Sequence, residues 1–416
     1  MARHGPPPPQ PSRKPTEVDS LPVPPARPRV CMYCRPYLPA FGGGGIQAHT
    51  LATELVRRRV PVTVLTFRPR GTAAREEMTG VEVRRLGPPP EWPRILTRPL
   101  WGLQARRYLT RQAGDFDLLH VHGSTADAAL VMERAKGLGL KTILKLTLLG
   151  SDDPVTLRGT LAGRCFTLAD AVVATSTALA DTCHGAGLRN SRVEPIPNAV
   201  DCQRFRPVEN QAAVRQELGL PAEAFIGVTV GSPFEPRKRI ELLVQAWAEA
   251  WPDEEEAYLL VVGPMDRCTR ETRHRADRLT QAIQTTGLDR RVLLTGRVCN
   301  PELYLQAADV FVFASVQEGQ PNALLEAMGA GLPCVVSRLP GITDDLIVHG
   351  RTGLLAEAGD HVGLAKLLRQ VRQDGELRAT LSQEARAQIL RSASLPVVVA
   401  AYLRLYRDLL GKEAQA

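Results

Sequence analysis

The stretch Glu318-Gly319-Gln320-Pro321-Asn322-Ala323-Leu324-Leu325-Glu326-Ala327-Met328-Gly329-Ala330-Gly331-Leu332-Pro333 lies between two apolar runs, Val310–Ala314 and Cys334–Ser337. Short apolar runs bounded by Gly and Pro predict strands buried on both faces. The segment between them reads as a helix opened by Pro321, which suits a first helical position because its missing N–H costs nothing there. Strand, helix and strand in this order make a parallel crossover unit. The residues beside Pro321 leave N–H groups without intrahelical acceptors, a place for phosphate. Glu318 stands just before this start, and Glu326 falls about one and a half turns in.

Outward from this unit the alternation continues in both directions. Strands are predicted at Arg29–Cys34, Pro61–Phe67, Val81–Leu86, Asp117–Val121, Lys141–Thr147, Ala171–Thr175 and Arg192–Ile196, with helices such as Gln47–Arg59 and Thr125–Lys136 between them. The pattern restarts with Phe225–Gly231, Tyr258–Gly263 and Val292–Gly296 and runs into the quoted stretch. The fold class is therefore α/β, with two doubly wound halves divided near Phe205–Glu217. The expected domains are 29–205 and 206–390. Residues 391–416 should form a helix packing back on the first domain. In open α/β sheets ligands bind beyond the carboxyl ends of the strands, so two such halves imply a cleft with its working residues just after the strands.

Composition narrows the class. Across 416 residues, 44% are hydrophobic and 23% charged, which excludes a chain disordered along its length and a fibrous one. Residues 1–28 hold ten prolines and no apolar core of a secretory signal, so they read as an extended, disordered tail. No apolar run is long enough to span a bilayer. The net charge of +8 divides into +11 over residues 1–205 and −3 over the remainder. A basic front half attracts phosphate, anionic lipid or an acidic substrate; an arginine-rich coding habit explains it equally well. No nucleic-acid-binding motif accompanies it. The segment Trp92–Arg111 sets Trp92, Trp101 and Tyr108 among Arg94, Arg98, Arg106, Arg107 and Arg111. It lacks a clean apolar face, so an ordinary helix is favoured over a membrane-surface one, and peripheral contact at the inner face of the membrane stays open. The eight cysteines are scattered. Cys31 and Cys34 share a predicted strand whose side chains alternate faces, so they read as structural thiols of a reducing, cytoplasmic compartment.

Several further segments carry chemistry. Four glycines, Gly42–Gly45, sit at the mouth of a helix, where backbone N–H groups approach an anion closely. Leu119-His120-Val121-His122 ends a strand in H-x-H. Pro197-Asn198-Ala199-Val200-Asp201 precedes Phe205 at the crossover, and Glu235-Pro236-Arg237-Lys238 follows a strand. Gly341 through Asp345, then His349-Gly350-Arg351-Thr352-Gly353, closes the second half. Together with E-x7-E and A-M-x-x-G-x-P in the opening stretch, this series resembles, in order and spacing, the retaining glycosyltransferases of family four, which have the GT-B fold. The resemblance covers nearly everything from residue 29 to about 390.

The resemblance implies a nucleotide-diphosphate-sugar co-substrate in the C-terminal domain and a glycan, lipid or small-molecule acceptor in the N-terminal one. Glu318 would sit near the donor sugar, Glu326 would hold the ribose, Lys238 would neutralise the diphosphate, and His122 would lie near the transferred sugar. Gly231, Ser232, Arg237, Arg297, Gly319, Gln320, Pro321, Asn322, Ala323, Gly44 and Gly45 complete the implied donor site. No metal is required, because fixed cations and helix amides can meet the departing charge. Asp115-Phe116-Asp117 matches D-x-D but leads directly into a strand, and reads as a strand-entry feature. Three positions depart from the family. Ser232 stands where an Arg is usual, Thr147-Leu148-Leu149-Gly150 lacks the usual His, and Asp344 or Asp345 replaces a Glu. These departures leave two alternatives: a catalytically weak carbohydrate-binding relative, or another GT-B activity such as an epimerase or phosphorylase. No pyridoxal lysine is recognisable for the last.

Overall fold

The computed structural model describes residues 27–40, 42–87, 94–188, 192–252 and 256–411. The proline-rich tail up to residue 26, Phe41, Trp92 and residues 412–416 lie outside them. The first sheet is built from β1 (Val30–Cys34), β2 (Val62–Phe67), β3 (Arg75–Met78), β4 (Val81–Leu86), β5 (Leu118–His122), β6 (Lys141–Lys145), β7 (Ala171–Ala174) and β8 (Arg192–Pro195). Its order is β3-β4-β2-β1-β5-β6-β7-β8, with β3 alone antiparallel to its neighbour. The second sheet uses β9 (Phe225–Val230), β10 (Ala257–Val262), β11 (Val292–Gly296), β12 (Val310–Phe313), β13 (Cys334–Ser337) and β14 (Leu354–Ala356), in the order β11-β10-β9-β12-β13-β14 and parallel throughout. Both are doubly wound. Strand order reverses between β1 and β5 in one sheet and between β9 and β12 in the other, and crevices open at such points.

Both faces of each sheet are covered, which explains the near-continuous apolar strands. On β1, Val30, Met32 and Cys34 face one core while Cys31 and Tyr33 face the other. The two thiols are thus separated by the sheet, and burial pushes the Cys34 thiol up to about 12.

Two strands carry no legible signal. β3 reads Arg-Glu-Glu-Met, an edge strand held by charge pairs such as Arg75–Glu82 (3.1 Å), and β14 is only three residues long. The helix expected from Gln47 starts earlier: α1 spans Gly43–Arg57, so the glycines form its first turn instead of a loop before it. Gly disfavours helix by about 1 kcal/mol relative to Ala, but at Gly45 a Cβ would lie 2.7 Å from the Pro36 carbonyl oxygen. Close approach overrides propensity there. The helix of the aromatic-basic segment, α2 (Arg94–Arg111), buries Trp101, whose indole N–H donates to the Thr66 carbonyl at 3.1 Å, and turns Tyr108 toward Phe116.

The remaining helices are α3 (Ala126–Lys136), α4 (Arg164–Leu168), α5 (Thr177–Gly185), α6 (Gln211–Glu217), α7 (Ile240–Ala250), α8 (Arg270–Thr285), α9 (Pro301–Ala307), α10 (Asn322–Gly329), α11 (His361–Gln373), α12 (Gly375–Ser392) and α13 (Leu395–Gly411). No described helix is long and apolar enough to cross a membrane. The chain passes between the domains twice, and the two passages lie side by side. Val200 donates to the Ala393 carbonyl (2.9 Å) and accepts from the Leu395 N–H (2.8 Å). Beyond that point α13 lies on the first sheet, where Tyr402 and Tyr406 are fully buried and the Tyr406 hydroxyl meets His120 Nδ1 at 2.8 Å. At the same place the buried Gln47 amide spans the Ala199 backbone, donating to its carbonyl (3.0 Å) and accepting from its N–H (2.9 Å). Gln47→Leu strands two backbone groups in the interior. It is expected to cost about 1–3 kcal/mol, read as a lower denaturant midpoint by tryptophan fluorescence; an unchanged midpoint would refute this account of the crossover.

Candidate active site

The seam between the domains begins at Gly319. A Cβ on this residue would lie 2.3 Å from the Thr147 carbonyl oxygen and 3.0 Å from the Leu148 nitrogen. Leu148 and Gly319 form an antiparallel bridge, Leu149 donates to the Glu318 carbonyl (3.3 Å), and Gln317 donates to the Leu149 carbonyl (2.7 Å). Further along, the Asn198 N–H donates to Gln320 Oε1 (2.6 Å), Asn198 Nδ2 to Asn322 Oδ1 (2.8 Å), and Asn322 Nδ2 to the Gly43 carbonyl (3.2 Å). On the far side the Asp345 carboxylate accepts from both the backbone N–H and the hydroxyl of Thr177, at 2.7 Å each, and so caps α5 from the other domain. Asp344 accepts from the Gly341 N–H (2.6 Å).

These contacts enclose a cleft of about 700 Å³ between the carboxyl ends of the two sheets. Its walls bring together Gly44, Gly45, His122, Gly231, Ser232, Arg237, Lys238, Arg297, Glu318, Gln320, Asn322, Ala323 and Glu326. Gly319 and Pro321 are spent on the seam and on the helix start. Pro321 is the N-cap of α10 (φ −75°) and not its first helical residue, and the Asn322 and Ala323 N–H groups behind it have no protein acceptor among the described residues. Gln320 also departs from expectation. Its side-chain oxygen is committed to Asn198 across the seam.

At the centre stands a buried charge cluster. Lys238 Nζ (2.8 Å), Arg237 Nη1 (2.5 Å) and the Ser315 hydroxyl (2.9 Å) all donate to Oε1 of Glu318. A single 3-10 turn, Pro236–Lys238, brings the two cations here after β9; its Arg237 carbonyl accepts from the Val316 N–H and shares the single Ser315 hydroxyl proton with Glu318. The Lys238 ammonium lies 5.0 Å from the centroid of the Phe313 ring. Burial lowers its pKa, while Glu318 opposes that. Arg237 supplies a second cation to this cluster, in the cleft that Ser232 also lines. Arg239 is exposed in the left-handed region (φ 51°) at the start of α7, outside the cleft walls.

Glu326 lies one helix face away. Burial pushes its carboxyl up to about 7, with Arg204 and Lys238 pulling the other way and Glu302 adding to the rise. On the first domain, burial together with His120 and Lys145 holds the His122 imidazole far below the usual range, so it is neutral, and neither ring nitrogen has a hydrogen-bond partner among the described residues. Asp152 ties the loops after β5 and β6 together, accepting from the Ser124 N–H, the Thr147 N–H and the Thr147 hydroxyl at 2.7 Å each. Wall residues that escaped sequence reasoning include Asp152 and the buried Lys145 at the end of β6. The signal for Lys145 was present as a lysine within the apolar run Lys141–Thr147. Asp117 pairs with Arg29 (2.7 Å) at the entry to β5, away from the cleft. Among the described residues no group of three or more His, Cys, Asp or Glu could hold a metal ion.

The family described as Glycosyl transferase 4-like domain matches residues 42–199, and the family described as Glycosyl transferases group 1 matches residues 224–374. The chain belongs to the group 1 glycosyltransferases. This glycosyltransferase is 28% identical over 305 residues to the N-acetyl-alpha-D-glucosaminyl L-malate synthase of Bacillus anthracis, covering 72% of this chain and 76% of that one. It is 35% identical over 214 residues to the lipopolysaccharide core biosynthesis glycosyltransferase LpsD of Rhizobium meliloti, covering 51% of this chain and 57% of that one. Among solved structures, the sucrose-phosphate synthase of Thermosynechococcus elongatus superposes with a TM-score of 0.79 at 23% identity, covering 93% of this chain and 100% of that one. Anabaena HepE, in complex with UDP and glucose, superposes with a TM-score of 0.76 at 20% identity, covering 92% of this chain and 100% of that one. These likenesses identify the fold as GT-B.

The seam yields a test that leaves the charges untouched. Gly319→Ala must push the Thr147 carbonyl away and widen the cleft, and a misplacement of about 1 Å costs about 10²-fold in rate. Turnover of the glycosyltransferase is expected to fall by about that factor with an unaltered circular dichroism spectrum. Wild-type turnover in this variant would show that the close approach does not govern the site.

Proposed function

We propose that this glycosyltransferase moves a sugar from a nucleotide-diphosphate sugar to an acceptor in the N-terminal domain, with retention of configuration. The observation that carries the reading is the meeting of Lys238 and Arg237 at one carboxylate, Glu318, in a cleft that the uncapped α10 N-terminus also lines. A diphosphate placed there meets two fixed cations and the Asn322 and Ala323 amides, with the Gly44 and Gly45 amides of α1 facing it across the cleft. Charge grows on the diphosphate as the sugar leaves, so donors fixed in advance favour the transition state over the ground state. No cofactor beyond the nucleotide sugar enters this scheme, and no metal takes a step in it.

Glu318 has two tasks in this reading. Oε1 orients the cations, and Oε2, which accepts no protein hydrogen bond among the described residues, is left for the donor sugar. Glu326 accepts the ribose hydroxyls, and neutral His122 lies beside the transferred sugar without adding charge. The solved complexes of HepE with UDP and with UDP-glucose support a nucleotide-sugar donor. The named relatives support enzymes that build small glycosides or lipopolysaccharide, so the acceptor class is a glycan, lipid or small molecule. Ser232 favours the weak-binding alternative by removing a cation; Arg237, held at 2.5 Å from Glu318, argues against it. The deciding experiment is nucleotide release from a panel of UDP-, GDP- and ADP-sugars. Release from none of them would favour the binding-protein reading.

Two outcomes test the assigned roles. The Glu326 carboxyl titrates near 7 in the free protein, and hydroxyl donors prefer the ionised form, so donor binding releases a proton. Affinity for a nucleotide sugar, whose pyrophosphate diester does not titrate in this range, is therefore expected to fall about tenfold from pH 8 to pH 6. Calorimetric titration of wild type and Glu326→Gln checks this: the variant's profile should be flat, and a flat wild-type profile removes the ribose role. Lys238→Ala is expected to lower kcat by about 10²-fold, measured in steady state with the identified donor. A nearly unaffected enzyme would make Arg237 the principal phosphate ligand.

A further inference from the structure

The cleft walls hold five lysine and arginine side chains, and four of them are paired. Arg35 meets Asp127 at 3.1 Å, Arg237 and Lys238 meet Glu318, and Arg297 meets Asp266 at 3.3 Å. The fifth is Lys145, on the last residue of β6. It is 3% exposed, and among the described residues it makes no hydrogen bond or ion pair. The wall's carboxylates are engaged elsewhere: Asp152 holds the Thr147 loop, Glu235 lies 3.6 Å from Arg237, and Glu326 is on α10.

The surroundings of Lys145 supply no compensating charge. Register places it beside His122 on β5, which in turn pairs with Cys34 on β1, so the three side chains share one face at the carboxyl end of the sheet. The thiol is protonated and the imidazole neutral, for burial drives the pKa of Cys34 up and that of His122 down. From α13 the Tyr402 ring lies 5.8 Å from the ammonium, a favourable contact that leaves the charge in place. Burial brings the Lys145 pKa down to about 8, so the side chain remains largely protonated at neutral pH. A buried, unpaired ammonium weakens the fold unless an anion meets it. Beside it, the α1 amides of Gly43–Gly45 face the same cleft with no side-chain cap and no acid in the first turn.

We infer that Lys145 is the counter-charge for the acceptor, which presents a carboxylate or phosphate group to the floor of the N-terminal half of the cleft. The inference rests on the proposed function, since it takes the first domain as the acceptor side. The donor diphosphate has its own cations on the second domain, so Lys145 sets the acceptor class and not donor affinity. Acceptors bearing such a group are bound through a charge-assisted hydrogen bond, and neutral ones would strand the ammonium.

The test uses the full chain as wild type, Lys145→Met and Lys145→Arg. Each is titrated calorimetrically with inorganic phosphate and with succinate, in the presence and absence of UDP. Lys145→Met keeps the length of the side chain and removes a buried charge, so it is expected to fold and to melt at a higher temperature than wild type. Saturable binding of phosphate or succinate to wild type, weakened about tenfold or more in Lys145→Met and largely kept in Lys145→Arg, supports the inference. UDP affinity should change less than about twofold in Lys145→Met, well under the tenfold that a lost charged contact brings. Equal anion binding by wild type and Lys145→Met overturns it, as does saturable binding of neither anion to wild type. A matching loss of UDP affinity also overturns it, by placing Lys145 in the donor site. Failure of wild type to bind any nucleotide would sink the function reading alone, since the anion titrations without UDP still decide the role of Lys145.

Discussion

Gly319 lies against the Thr147 carbonyl with no room for a side-chain carbon, and the working geometry of the cleft depends on that contact. Backbone against backbone leaves no rotamer to take up slack, so at this point the approach of the two domains is fixed by main-chain atoms alone. Glu318 is the residue before the contact, and the start of α10 lies just beyond it. The same few atoms that join the domains thus aim both the central carboxylate and the helix amides. The other bonds of the seam, from Asn198 to Gln320 and from Thr177 to Asp345, hold the same spacing on either side. The paired passages at Val200 and Ala393 lie where the domains exchange chain.

Within this frame the two walls solve the problem of buried charge in opposite ways. On the second domain Glu318 keeps Lys238 and Arg237 desolvated together, so three charges share one hydrogen-bonded arrangement. In the proposed function an incoming diphosphate would compete with that carboxylate for cations already in position, and little reorganisation would be needed as charge develops. On the first domain Lys145 has an aromatic ring and neutral neighbours but, among the described residues, no acidic partner. One wall gathers its cations on a carboxylate, and the other leaves Lys145 unpaired among the described residues.

Much of the plan was legible in the linear order. Apolar runs marked nearly every strand because parallel strands buried on both faces need no alternation. The edge strand β3 escaped, since solvated Arg and Glu hide its period, and so did β14, too short to have one. The start of α1 was misplaced because glycine's low helix propensity says nothing of the Pro36 carbonyl packed against Gly45. Glu318, Glu326, Arg237 and Lys238 were found from their place after strands. Gln320 was found as well, but its seam partner, more than a hundred residues away, was invisible.

By itself the sequence determined the two doubly wound domains, the strand ends at which chemistry gathers, and the residue types available there. Those follow from local periodicity, from helix starts and from the positions of Gly and Pro, all of which act within a turn or a strand. Tertiary structure alone decided which groups are paired and which are not. Arg237 joins Lys238 on Glu318, Asp345 caps a helix of the other domain, and Lys145 is left without an acid among the described residues. Each of these outcomes depends on distances between segments 80 or more residues apart in the chain, or on the failure of any carboxylate to arrive. Pairing and desolvation are properties of three-dimensional neighbours, and they determine which charges are free to meet a substrate.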